Sequence, residues 1–196
     1  MGRKVATEKN VVLIGLSGTG KTTLGAMLAD YLGLPFYDID VEIEQREGKK
    51  ISQIFQDEGE KYFRDTESSI AKELSAMPQG PAVISTGGGV VLRKENVQNL
   101  QETGLLIYLT ASPEEIVDRL GNAEGRPLLQ NVDRQEALVK IKKMIEKRNS
   151  LYLGSADFTV STENKSPGHI VENDLASLVY QENETRKDKI KNNARK

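Results

Sequence analysis

Five short apolar runs punctuate the chain: Val11–Ile14, Pro35–Ile39, Ala82–Thr86, Leu105–Leu109 and Phe158–Val160. The hydrophobic residues in them stand at consecutive rather than alternate positions, which reads as strands buried on both faces. Between the runs, apolar residues fall at helical spacing. Thr22 to Leu32 carries Leu24, Met27, Leu28 and Leu32, with Gly33 placed to stop the helix. Glu58 to Leu74 carries Phe63, Ile70 and Leu74, and Asp133 to Tyr152 carries Leu138, Ile141, Ile145 and Tyr152. Pro113 to Leu120 opens on Ser112-Pro113-Glu114-Glu115, an N-cap, a proline at the first helical position and a capping-box Glu. Ser166-Pro167 opens a last helix through Ile170, Val171, Leu175 and Leu178. Strands alternating with helices predict a three-layer α/β/α fold with a five-stranded parallel sheet.

Length and composition narrow the picture. The chain of 196 residues suffices for one domain with a full core. We expect that domain over residues 1–180, with a lid about 121–132. A basic tail over 181–196, nearly devoid of apolar residues, is expected to be disordered. The net charge of −2 implies no general affinity for nucleic acid or anionic membrane. No apolar run approaches the ~20 residues of a membrane span. The polar start, Met1 to Asn10, has no apolar signal core, and Ala6 stands where a myristoylation signal wants Ser or Thr. The absence of cysteine excludes disulfides and thiolate metal sites and fits a reducing compartment. A cytoplasmic monomer is expected.

Candidate chemistry begins after the first strand. Residues 15–22 read Gly-Leu-Ser-Gly-Thr-Gly-Lys-Thr, a G-x-x-x-x-G-K-[ST] phosphate loop between a strand and a helix. Backbone N–H groups of such a turn point at phosphates, and the helix dipole adds favourable potential. Gly18, Thr19, Gly20, Lys21, Thr22 and Thr23 are the candidate nucleotide contacts. Lys21 reaches the β/γ-phosphates, and the Thr22 hydroxyl is a candidate Mg²⁺ ligand.

Parallel sheets bind ligands at the carboxyl ends of their strands. The second strand ends in Asp38-Ile39-Asp40, and an extended segment would aim both carboxylates at one site, one toward Mg²⁺ and one toward a substrate proton. Asp40 also reads as a helix N-cap. The third strand ends in Gly87-Gly88-Gly89, which lets a ligand approach the backbone closely. Arg126 lies in a stretch poor in apolar residues, Gly121 to Pro127; a closing lid and a solvated surface arginine both fit it. Arg148 falls on the buried stripe of its helix, so its charge must be paired by a carboxylate or a ligand. Arg64, after Phe63, reads as a surface or ion-pair residue, and His169 as an exposed side chain with no role as a base.

Taken in order, these segments resemble the shikimate kinase family, within the nucleoside-monophosphate-kinase-like group of P-loop NTPase folds. The likeness runs from about Asn10 to Val179. It rests on Gly15–Thr22, Phe36-Tyr37-Asp38-Ile39-Asp40, Gly59-Glu60 with Phe63-Arg64, Thr86-Gly87-Gly88-Gly89, Gly125-Arg126-Pro127-Leu128-Leu129, and Arg148 four before Tyr152. Ser150 departs from the family, which often has proline there. The resemblance implies an ATP- and Mg²⁺-dependent kinase for the 3-hydroxyl of shikimate. It implies that Arg64, Arg148 and the backbone of Gly87, Gly88 and Gly89 hold shikimate. It further implies that Asp40 contacts the reacting hydroxyl, that Asp38 lies near the metal and that Arg126 is the lid arginine. Lys21, Asp40 and Arg126 are then the catalytic set. Lys165 stands where some relatives have an arginine, which places it against the adenine.

Two rivals are weighed. A gluconate- or nucleotide-type kinase would share the phosphate loop but need other acceptor residues. A GTPase-like switch would need D-x-x-G after a strand. Asp30-Tyr31-Leu32-Gly33 and Asp118-Arg119-Leu120-Gly121 fall at helix ends instead, and no N-K-x-D motif exists.

Overall fold

The computed structural model describes residues 7–121 and 133–193, with side chains through residue 188. All five predicted strands form: β1 (Asn10–Ile14), β2 (Phe36–Asp38), β3 (Val83–Ser85), β4 (Gly104–Thr110) and β5 (Phe158–Ser161). They pair in parallel in the order β2-β3-β1-β4-β5. The strand that feeds the phosphate loop is therefore central, with Leu13 opposite Ser85 of β3 and Ile14 opposite Tyr108 of β4.

Alternate residues of β1 face opposite layers. Val11 and Leu13 join Leu24, Leu28 and Leu32 of α1 (Lys21–Leu32) and Ile170, Val171, Leu175 and Val179 near the C-terminus. Val12 and Ile14 join the larger core on the other face. That core is built by α2 (Ile39–Glu47), α3 (Ile51–Asp57), α4 (Gly59–Ser75), α5 (Lys94–Thr103), α6 (Pro113–Gly121) and α7 (Arg134–Ser155). Fully burying one such Leu or Ile contributes roughly 1.5–3 kcal/mol, so the sheet is held from both sides by the same term.

Of two side-chain caps, the first is legible in the sequence and the second is not. The Ser112 hydroxyl accepts from Glu115 N–H at 3.3 Å, and Asp133 caps α7 by accepting from Glu136 N–H at 2.8 Å.

Four expectations are corrected. Met27 is 38% exposed, because it lies off the Leu24–Leu28–Leu32 stripe. The second strand stops at Asp38, since that side chain caps α2 and ends the extended backbone. The last helix is not regular: α8 (Pro167–His169) passes into a π-helical segment, Ile170–Leu175, before α9 (Ala176–Asn193). The segment from Gln181, expected to be disordered, continues α9 as helix to Asn193. Extending an anchored helix adds one hydrogen bond per residue without a new nucleus. Ion pairs from Lys9 to Glu182 at 2.9 Å and from Arg186 to Glu8 at 3.6 Å tie its first part down.

Candidate active site

The phosphate loop follows β1 directly. Gly20, in the left-handed region at φ 92, is the N-cap of α1, so the loop's N–H groups and the helix N-terminus converge. Thr19 Oγ1 and Lys21 Nζ both donate to the Leu16 carbonyl, at 2.8 and 2.9 Å. Lys21 is buried, so the cation is held within the loop. Thr23 is exposed on the first turn of α1.

Thr22 Oγ1 donates to Asp38 Oδ2 at 2.7 Å. Asp38 Oδ1 accepts from the N–H groups of Asp40 at 3.0 Å and Val41 at 3.4 Å, so the cap of α2 is Asp38. Asp40 is thus no N-cap and does not lie on an extended strand; it sits in the first turn of α2. The Thr22 hydroxyl and Asp38 carboxylate form a hard-oxygen pair that suits Mg²⁺, which binds through one or two such groups plus substrate phosphates. No cluster of three or more His, Cys, Asp or Glu side chains that could hold a metal ion occurs among the described residues.

The acceptor side is built on α4 and the turn after β3. A Cβ placed on Gly87 would stand 2.7 Å from both Asp40 Oδ1 and Glu67 Oε1. One placed on Gly89 would stand 2.2 Å from Arg64 Nη1, and one on Gly88 would stand 3.1 Å from Ser17 N–H of the phosphate loop. The triple glycine therefore lets two carboxylates, a guanidinium and the phosphate loop crowd onto one stretch of backbone.

Glu67 is fully buried, and its Oε2 accepts from Arg64 Nη1 at 2.8 Å. Its Oε1 and the Arg64 Nε have no hydrogen-bond partner among the described residues, although Nε lies 3.5 Å from Glu60 Oε1. Burial pushes the Glu67 carboxyl above its ordinary range, against the pull of Arg64, Arg93 and Arg148. Arg148 points inward, as its stripe position predicts. Its Nη1 donates to the Gly88 carbonyl at 3.1 Å.

Sequence reasoning missed Glu67, which looks like one more charge on a charged helix. It also missed Arg119 of α6. That guanidinium donates to Gly18 O at 3.3 Å, Thr162 Oγ1 at 2.9 Å and Thr162 O at 3.0 Å, tying the phosphate loop to the end of β5. Glu115, one turn earlier on α6, also pairs with it. Lys165 pairs with Asp174 at 2.8 Å. Arg126 and the lid segment after Gly121 lie outside the described residues.

The shikimate kinase family model matches residues 17–179. A shikimate kinase of Thermodesulfovibrio yellowstonii is 44% identical over 164 residues, covering 84% of this chain and 91% of the relative. One from Persephonella marina is 41% identical over 170 residues, covering 87% and 99%. Among solved structures, shikimate kinase from Acinetobacter baumannii in complex with shikimate superposes with a TM-score of 0.81 at 33% identity, covering 89% of this chain and 95% of that one.

Proposed function

The chain belongs to the shikimate kinase family, and from that premise we propose how its residues carry out ATP-dependent phosphorylation of shikimate at the 3-hydroxyl. The supporting observation is the meeting of the phosphate loop with Asp40, Arg64, Glu67 and Arg148 along the backbone of Gly87, Gly88 and Gly89. Donor and acceptor pockets so joined leave a hydroxyl near the terminal phosphate, which is the positioning that phosphoryl transfer requires.

The loop N–H groups and Lys21 hold the β/γ-phosphates, with Gly18, Thr19, Gly20 and Thr23 shaping the cradle. Thr22 and Asp38 would hold Mg²⁺, which supplies charge neutralisation when bound with ATP. Asp40 orients the attacking hydroxyl and accepts its proton. Arg64 and Arg148 present planar forks to the acceptor carboxylate. Arg126 takes the lid-arginine role on the sequence resemblance alone. The Lys165–Asp174 pair gives no support to a contact with adenine. We further propose a cytoplasmic monomer, and the net charge of −2 implies no general affinity for nucleic acid or anionic membrane. No helix among the described residues is long and apolar enough to cross a membrane.

The test is a coupled ADP-release assay with Mg-ATP over a panel of hydroxy acids and nucleoside monophosphates. Shikimate should be turned over and gluconate left nearly untouched. Equal turnover of gluconate would overturn the reading.

A further inference from the structure

The carbonyl oxygen of Gly88 accepts two hydrogen bonds from α7, one from Arg148 Nη1 at 3.1 Å and one from Tyr152 Oη at 2.5 Å. A carbonyl has two lone pairs, so both donors can be served at once. The two donors differ in freedom. Tyr152 is 0% exposed, and its ring stacks on Tyr108 with centroids 4.8 Å apart. Burial raises its phenol far above the ordinary range, so it remains an O–H donor through neutral and mildly alkaline pH. Arg148 is half-buried on a flexible stem and carries five donors in a planar fork. Gly88 itself abuts the phosphate loop, its absent Cβ lying 3.1 Å from Ser17 N–H.

The geometry points to Tyr152 as a positioning residue that keeps the Gly88 carbonyl paired when Arg148 turns from it to the anionic group of the acceptor. This rests on the reading of Arg148 as a ligand of the shikimate carboxylate. If Arg148 were the only donor, acceptor binding would strip a partly buried carbonyl of its partner and free the triple glycine beside the phosphate loop. With the phenol in place, Arg148 exchanges one acceptor for a better, charged one, and the backbone that both pockets share does not move. Tyr152 touches no reacting atom; it acts through Gly88.

The experiment compares Tyr152→Phe with Tyr108→Phe in the full chain. Both keep the aromatic stack. Tyr108 Oη donates to Asn149 Oδ1 at 3.1 Å and not to Gly88, so its loss controls for removing a phenol from the same stack. Tyr152→Phe should raise KM for shikimate roughly five- to tenfold, with KM for ATP and kcat at saturating shikimate little changed. The effect should be the same at neutral and mildly alkaline pH. Tyr108→Phe should leave KM for shikimate unchanged. The Tyr152→Phe/Arg148→Lys double variant should show less than the product of the single effects, because both donors act on one carbonyl. An unchanged KM in Tyr152→Phe, or an equal rise in Tyr108→Phe, would overturn the inference. Failure of the unaltered protein to use shikimate is a separate result: it removes the functional reading, and this inference with it.

Discussion

Both oxygens of Asp38 accept from protein donors, one from Thr22 and one from the start of α2, whereas Asp40 turns its carboxylate toward Gly87 and Glu67. The two carboxylates therefore separate into a metal-side group and an acceptor-side group. Asp40→Asn should lower turnover by roughly 10²–10⁴ with ATP binding little changed, measured by steady-state kinetics and nucleotide titration. Lys21→Ala should instead impair nucleotide use with every acceptor. Glu67 makes a pH-dependent prediction. Burial lifts its carboxyl above the ordinary 4.5, so the folded state binds that proton more tightly than the unfolded state. Its contribution to stability is full below the unfolded value and is lost as pH rises through the folded value. Glu67→Gln is neutral throughout, so its Tm should gain on the wild type from about pH 4 toward neutrality. A gap that does not move would mean that Arg64 holds Glu67 charged without penalty. The phosphate loop, Asp38, Asp40 and Arg148 were legible because spacing and strand ends mark them. Glu67, Arg119 and the Tyr152 hydroxyl were not, because each acquires its role from a partner 64 or 101 residues away or from the depth of its burial.

At the scale of elements, the turn from β3 into the 3-10 turn Val90–Leu92 separates two effects that a glycine count cannot. Gly89→Ala would put a methyl against the far end of the Arg64 side chain, which can swing away. The fold should survive, with KM for shikimate raised and KM for ATP unchanged. Gly88→Ala would press on the backbone of Ser17, which cannot yield without moving the phosphate loop, so both Michaelis constants should rise. Kinetics with each substrate varied in turn distinguish the two, and identical profiles would show that the turn acts as one unit. The strands were legible because a central parallel strand must be apolar on both sides. α5 was not anticipated, since Lys94–Thr103 offers only Val97 and Leu100 as large apolar residues, and of these Leu100 alone is fully buried. The extended reading of Asp38-Ile39-Asp40 failed for a local reason: a cap formed by Asp38 favours helix in the residues after it.

For the whole molecule, alternation of strands and helices announced a parallel sheet, but no pattern in the sequence orders the strands. Order decides function here. With β1 between β3 and β4, the loop after β1 lies beside the triple glycine on one side and beside α6, reached from β4, on the other. The C-terminal extension stands apart from this arrangement. α9 leaves the core after Val179, and the ties described beyond it are exposed or half-exposed ion pairs to residues near the start of the chain. Pairs of that kind contribute about 0–1 kcal/mol each and weaken with salt. Ending the chain after Thr185 keeps the Lys9–Glu182 pair and removes the Arg186–Glu8 pair. It should lower Tm by no more than about 4 °C, with kcat and both Michaelis constants unchanged. The small loss should vanish in high salt, which screens the pair in the intact protein as well. A truncated protein that melts normally but loses turnover would instead make the tail part of the catalytic cycle, since nothing in its packing near β1 would explain the loss. Thermal melts at two salt concentrations, run beside the coupled assay, decide between the two.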